Sequence, residues 1–257
     1  DSRDLQLKNF RIEGKDGTLA SYGIEFYHEA DDTRGTNQYL LVQDVHIGRY
    51  PWTQQGTNKG DVTSGIGFTG TDGNNDQWRI ERVNVFNPTE YGLYLQNFNS
   101  LAGTARNLVV AGAGVAGVSA GTSVYLDSPE FYACATDIIV TQSFANAWVT
   151  NIYSEDSGRL ASLPPTCIFA IDGGSVQIDT IAAGGKVLVA ATPSAQQTID
   201  LRDVTFTPYP NSSLTGSDAK IEIGGVSGDS ANVGNFEVII EACRGLEKDH
   251  VVFGSGA

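Results

Sequence analysis

The sequence predicts an all-β solenoid, a coil of short strands stacked along one axis. Three features predict it. Apolar residues recur at one spacing, n, n+2, n+5 and n+7. Position n+4 is repeatedly Asn or Asp. A shorter motif, clearest as Gly23-Ile24-Glu25-Phe26, alternates with the first. The chain of 257 residues carries 30 glycines and is only 18% charged, a composition that suits a turn-rich β protein.

The strongest copies of the first motif are Leu5/Leu7/Phe10/Ile12, Leu40/Val42/Val45/Ile47, Trp78/Ile80/Val83/Val85, Val176/Ile178/Ile181/Ala183 and Ile199/Leu201/Val204/Phe206. Weaker copies are Ala105 with Leu108 and Val110, Ala133/Ala135/Ile138/Val140, Ala147/Val149/Ile152, and Val238/Ile240/Cys243. A spacing of two places side chains on one face of a strand. The step of three inserts one residue between two short strands. A bend without a loop needs a residue that tolerates the left-handed region, and Asn and Asp do so best after Gly. Asn9, Asp44, Asn107, Asp137, Asn151 and Asp203 hold position n+4. Each copy therefore reads as strand, corner, strand, with its apolar side chains directed to one interior. Stacked copies share that interior, because one copy cannot bury its face alone. The step from Ala133 to Ala147 is too short for a full turn, so one of those two copies is accidental.

The second motif recurs at Gly65-Ile66-Gly67-Phe68 and Gly92-Leu93-Tyr94-Leu95. Looser copies are Ser123-Val124-Tyr125-Leu126, Val187-Leu188-Val189, Ile221-Glu222-Ile223 and Val251-Val252-Phe253. Each is one short strand, so three strands make a turn. The expectation is about eight turns, three sheets, and long loops on one side. The repeat spans the chain, which predicts one domain over residues 1–257. It also reaches both ends, and a bare coil end exposes unpaired edges, so a fragment of a longer chain is expected.

The net charge of −14 disfavours nucleic acid and anionic membranes by repulsion. It also disfavours a polyanionic glycan unless local basic residues intervene. No segment approaches the length of a transmembrane helix. Cys134, Cys167 and Cys243 form no spaced framework and read as buried free thiols.

The chain resembles the right-handed parallel β-helix proteins of the pectate-lyase-like superfamily, most closely over Asp76 to Leu95, DQWRIERVNVFNPTEYGLYL. Its long polar loops look most like those of a bacteriophage tailspike or capsule depolymerase. The resemblance implies a homotrimer on a virion tail, outside the cell, that binds and cleaves a cell-surface or capsular polysaccharide by hydrolysis. Two alternatives stay open: a secreted bacterial polysaccharide lyase or hydrolase, and a non-enzymatic adhesin or shaft. The family's polygalacturonases carry an Asn-Thr-Asp and a Gly-His-Gly that are absent here. The Arg-x-Pro-x-x-Arg pattern of pectate lyases is absent as well.

If Ile24 and Phe26 point inward, alternation turns Glu25 outward, and likewise Tyr94, Tyr125 and Glu222. Tyr94 and Tyr125 fall in successive copies of the second motif, about one strand spacing of 4.8 Å apart. Their expected role is an aromatic step beneath a sugar, which offers apolar faces and hydroxyls to a ring with a polar tip. Trp52, in the long segment from Gly48 to Ser64, is a second candidate platform. Glycoside hydrolysis needs two carboxylates flanking a bond. The candidates are Glu155 and Asp127, with Glu25 or Asp156 as partner. Glu155 and Asp156 are expected at the start of a loop, and Asp127 in a loop that also holds Glu130. The corner pattern accounts for Asp44, Asp137 and Asp203. No cofactor is expected. Asp72, Asn74 and Asp76 resemble the start of a calcium loop, but the closing Glu of such a loop would fall at Val83. None of His28, His46 and His250 lies in a metal-binding spacing.

Overall fold

A computed structural model describes residues 4–14, 19–27, 37–49, 62–70, 75–96, 103–178, 186–208, 220–224, 235–245 and 251–253. They form an all-β parallel β-helix, and no helix occurs among the described residues. One sheet is built from the corner motif. Its strands are β1 (Gln6–Ile12), β4 (Leu41–Ile47), β7 (Arg79–Phe86), β9 (Gly103–Ala111), β11 (Val124–Asp127), β14 (Ala147–Ser157), β16 (Ile168–Ile178), β18 (Gln197–Pro208) and β20 (Phe236–Glu241), stacked in that order, with β12 (Glu130–Tyr132) between β9 and β14. The second sheet stacks β2 (Ala20–Tyr27), β5 (Val62–Thr69), β8 (Tyr91–Leu95), β10 (Ala116–Ala120), β13 (Ile138–Val140), β15 (Ala161–Leu163), β17 (Lys186–Ala190), β19 (Lys220–Ile223) and β21 (Val251–Phe253). A short pair, β3 (Asn37–Gln38) and β6 (Asn75–Asp76), completes the set.

The corners are as the spacing requires. Asn9, Asp44, Arg82, Asn107, Ser128, Asn151, Gly173, Asp203 and Ala242 all take φ between 50° and 79°. The ladder skips them: Lys8 pairs with Gln43 and Phe10 with Val45, while Asn9 and Asp44 stay unpaired. In most turns the chain stays in one strand through the corner, so the two arms belong to one bent sheet. The third sheet of the sequence reading is not a separate sheet in these residues.

Three copies of the motif are corrected. The copy read from Val176 is out of phase. Phe169, Ile171, Gly174 and Val176 hold the slots, with Gly173 at the corner (φ 79°). The copy read from Ala133 is the accidental one, since Ile138 and Val140 lie in β13 of the second sheet. Asp137 is therefore not a corner. Ser123–Leu126, read as a second-sheet strand, belongs to the bent sheet, where β11 pairs with β9 and β14. Its copy runs Val124, Leu126, Pro129, Phe131 around Ser128. The second-sheet strand of that turn is β10, inside the Gly-rich stretch 111–122.

The glycine that opens the second motif has a steric cause. A Cβ on Gly23, Gly65 or Gly92 would lie 2.5 Å from a side-chain carbon of Ile47, Val85 or Val110 across the interior. Gly117 occupies the same slot one turn on, and its Cβ would meet the ring of Phe131. In the next turn the slot holds Asp137, and the residue opposite is Ser154, whose hydroxyl donates to Asp137 Oδ2 at 2.6 Å. Trp78 fills the interior of its turn, tilted against Phe68 with ring centroids 5.0 Å apart, and leaves room only for glycine at position 103 below it. The core is one continuous apolar column from Ile24 to Ile223. Each fully buried Leu, Ile, Val or Phe in it contributes about 1.5–3 kcal/mol. Cys134 and Cys167 are buried free thiols, whereas Cys243 is half-buried. Burial pushes the Cys167 thiol up to about 12.

Candidate functional site

The outward positions before the corner line up into two rows. Leu41, Arg79, Thr104, Tyr125 and Trp148 are successive register partners in the first row. Gln43, Glu81, Arg106, Asp127 and Thr150 form the second. Parallel strands in register place like positions one strand spacing apart, so rows are an automatic product of the coil. Tyr125 and Trp148 stack with ring centroids 4.9 Å apart at 18°, and Tyr125 is 53% exposed.

Two shallow depressions of about 350 Å³ each share Arg79 and Thr104 and so make one groove across the strands. Asp4, Gln6, Tyr39, Leu41 and Gln77 line one end. Glu81, Arg106, Tyr125, Asp127 and Thr150 line the other. Asp127 is the most heavily bonded side chain there. Arg106 Nε donates to its Oδ2 at 2.8 Å, and the hydroxyls of Ser128 and Thr150 donate to Oδ1 at 3.1 Å. Partial burial alone would raise its pKa, but these donors outweigh it and hold the carboxyl below its ordinary value. Gln43 Nε2 donates to Glu81 at 3.1 Å. Arg79 makes no ion pair among the described residues.

The structure brings together two of the expected residues, Asp127 and Tyr125, and separates the rest. Tyr94 lies on β8 of the second sheet, opposite Gly67 and Ser119. It is not beside Tyr125, because the Tyr125 strand pairs with β9 and β14 in the bent sheet. Glu25 faces outward as alternation requires, but also on the second sheet, where it accepts a hydrogen bond from Thr69 Oγ1 at 2.5 Å. Glu155 lies beyond the Asn151 corner, inside β14 rather than at the start of a loop. It accepts from Tyr153 Oη at 2.8 Å, while Glu130 accepts from Tyr132 Oη at 2.7 Å. In register Glu130 faces Tyr153 and Tyr132 faces Glu155. This checkerboard raises the pKa of both phenols, Tyr132 chiefly by burial and Tyr153 chiefly through its bond to Glu155. Asp156 sits at the exit corner of its turn with φ 60°, as Asn87, Gly112 and Ala133 do in the three turns before it. The backbone thus accounts for Asp156 as it does for Asp44. Of the four expected carboxylates, Glu25 lies on the second sheet, and Asp127, Glu155 and Asp156 lie on the bent sheet, Asp127 before the corner of its turn and Glu155 and Asp156 beyond theirs.

Trp52, Asp72 and Asn74 lie outside the described residues, and Asp76 is in the short strand β6. Among the described residues no group of three or more His, Cys, Asp or Glu side chains could hold a metal ion. Nor is any helix among them long and apolar enough to cross a membrane. Sequence reasoning missed Trp148, Arg79, Arg106 and Thr104. Alternation turns each outward, but only the register between turns shows that Arg79, Thr104 and Arg106 share a groove and that Trp148 stands beside Tyr125. No protein-family model, curated protein or solved structure among those compared matches the chain.

Proposed function

We propose that the chain is the polysaccharide-binding β-helix of a tailspike-like receptor-binding protein of the pectate-lyase-like kind, with the glycan lying along the groove from Arg79 to Trp148. The stacked Tyr125–Trp148 pair at the end of a polar groove carries this reading. The two rings cover one face of each other, and the outer ring face of the pair is what it offers to the C–H face of a pyranose. Thr104, Thr150, Arg106 and Asp127 offer donors and acceptors for hydroxyls, in a low-affinity, repetitive arrangement suited to a polymer rather than a small molecule. The same reading places the protein on a virion tail as a homotrimer that attaches to a capsular or cell-surface polysaccharide.

Binding is better supported than cleavage. The second reading is inverting hydrolysis by Glu81 and Asp127. They stand two strands apart, roughly 10 Å at the strand spacing, near the upper end of the separation of about 6.5–9.5 Å that inverting enzymes use. Asp127, held ionised by Arg106, would activate water, and Glu81 would protonate the leaving oxygen.

Calorimetric titration with a panel of bacterial capsular polysaccharides tests the proposal. At least one should bind, and the paired substitution Tyr125→Ala with Trp148→Ala should weaken it tenfold or more. Binding that survives both substitutions unchanged would remove the groove from consideration. Reducing-end and ultraviolet assays on the same mixtures separate the readings. New reducing ends lost in Glu81→Gln indicate hydrolysis. Ultraviolet absorbance from unsaturated ends would instead support a secreted lyase. Neither signal, with binding retained, would mean a binding module only.

A further inference from the structure

A second aromatic surface lies on the other sheet, away from the groove. Tyr91 and Tyr94 stack with ring centroids 4.9 Å apart and planes within 17°. Position 67, opposite Tyr94 in register, is glycine. The ring of Tyr22 lies over it, so close that a Cβ there would be 2.5 Å from two ring carbons. Glu25 is the register partner of Gly67 on the far side. Across the sheet the order is therefore Glu25, the Tyr22 ring over Gly67, and Tyr94, with Tyr91 on the same strand as Tyr94. Glu90 precedes Tyr91, and its charge raises the pKa of both Tyr22 and Tyr91, after burial as the main cause. Neither Glu25 nor Glu90 has a cationic partner among the described residues.

Three half-buried phenol rings and two carboxylates without a cationic partner among the described residues together favour an organic cation, since π faces attract ammonium groups and carboxylates pair with them. The near-parallel Tyr91 and Tyr94 rings cover one face of each other, so the pair offers one outer ring face as a platform rather than a box. A platform matches the flat C–H face of a pyranose better than a lysine side chain. We propose that Tyr22, Tyr91 and Tyr94 with Glu25 and Glu90 form a separate binding site for an amino sugar, a pyranose bearing a free ammonium group. The ring would rest on the tyrosines and the ammonium would reach the carboxylates. This site is distinct from the groove of Tyr125 and Trp148 and does not depend on it.

The experiment titrates the protein with a fully deacetylated glucosamine tetramer, its N-acetylated counterpart, and a lysine tetrapeptide, in low salt near pH 5.5. The deacetylated tetramer should bind, and the acetylated form should bind at least tenfold more weakly. Tyr94→Ala should abolish binding, and Glu25→Gln, which leaves the aromatic packing intact, should weaken it several-fold. Tyr153→Ala, at an exposed tyrosine outside both sites, should leave it unchanged. Equal binding of the two sugars would overturn the proposal, as would insensitivity to both Tyr94→Ala and Glu25→Gln. Loss of binding in Tyr125→Ala would assign the sugar to the groove and overturn a separate site. Lysine peptide binding as tight as that of the amino sugar would show general attraction to an acidic protein and overturn the sugar assignment.

Discussion

Gly117 and Asp137 occupy the same slot in neighbouring turns, yet one faces Phe131 and the other Ser154. In the first turn the volume comes wholly from the opposite wall. In the second it is shared between two polar side chains joined by a 2.6 Å hydrogen bond. The slot conserves space, not polarity. Phe131 and Gly117 fill it with apolar contact alone. Asp137 and Ser154 fill it with a carboxyl that is completely buried, whose Oδ1 has no hydrogen-bond partner among the described residues, and whose pKa burial pushes up to about 7 despite the Ser154 and Ser157 hydroxyls.

Removing the apolar filling should cost most. Phe131→Ala leaves a ring-sized void opposite a glycine that cannot collapse into it, and should lose about 3–5 kcal/mol in urea unfolding. Ser154→Ala should lose about 1–3 kcal/mol, because it strips a buried acceptor of its donor. The double change Asp137→Leu with Ser154→Ala should cost less than Ser154→Ala alone, since replacing both polar partners by apolar groups is close to neutral. A cost equal to or above the single change would show that the polar pair is needed for more than its volume.

The last difference between the two slots is one of pH. The Asp137 carboxyl has a folded pKa of about 7, above the ordinary unfolded value near 3.9. Between these values the folded chain holds a proton that the unfolded chain has released. Stability from this group is therefore full below about pH 4 and falls as pH rises to 7, by up to about 1.4 kcal/mol per pH unit. Asp137→Asn should remove that slope. An unchanged pH profile of urea midpoints in the variant would contradict the assignment.

The repeat made most of the fold readable, because a bend of one residue leaves its mark in spacing and in Asn or Asp. It misled where the left-handed corner falls on another residue. Gly173 and Ser128 hold corners as well as Asn does, and Pro129 stands at an interior position where the pattern expects an apolar side chain with more bulk. A short Val-x-Leu alternation also reads the same in either sheet, so Tyr125 was placed on the wrong one. For the candidate site, direction was readable and neighbourhood was not. Alternation turned Tyr125 and Glu25 outward correctly. Which residue lies beside Tyr125 depends on the 22 residues that separate it from Trp148 along the chain, and nothing in that stretch announces how many of them the turn consumes.

The groove crosses the strands, so a polymer lying in it would run parallel to the coil axis. Each turn then presents one outward residue per row, at intervals of about 4.8 Å, like graduations on a ruler. Tyr125 and Trp148 mark two adjacent graduations. A chain whose repeat is commensurate with that interval stays in step over several turns, while one slightly longer or shorter drifts out of phase and loses successive contacts. Selectivity of this kind would reside in no single side chain. It would be a property of the pitch.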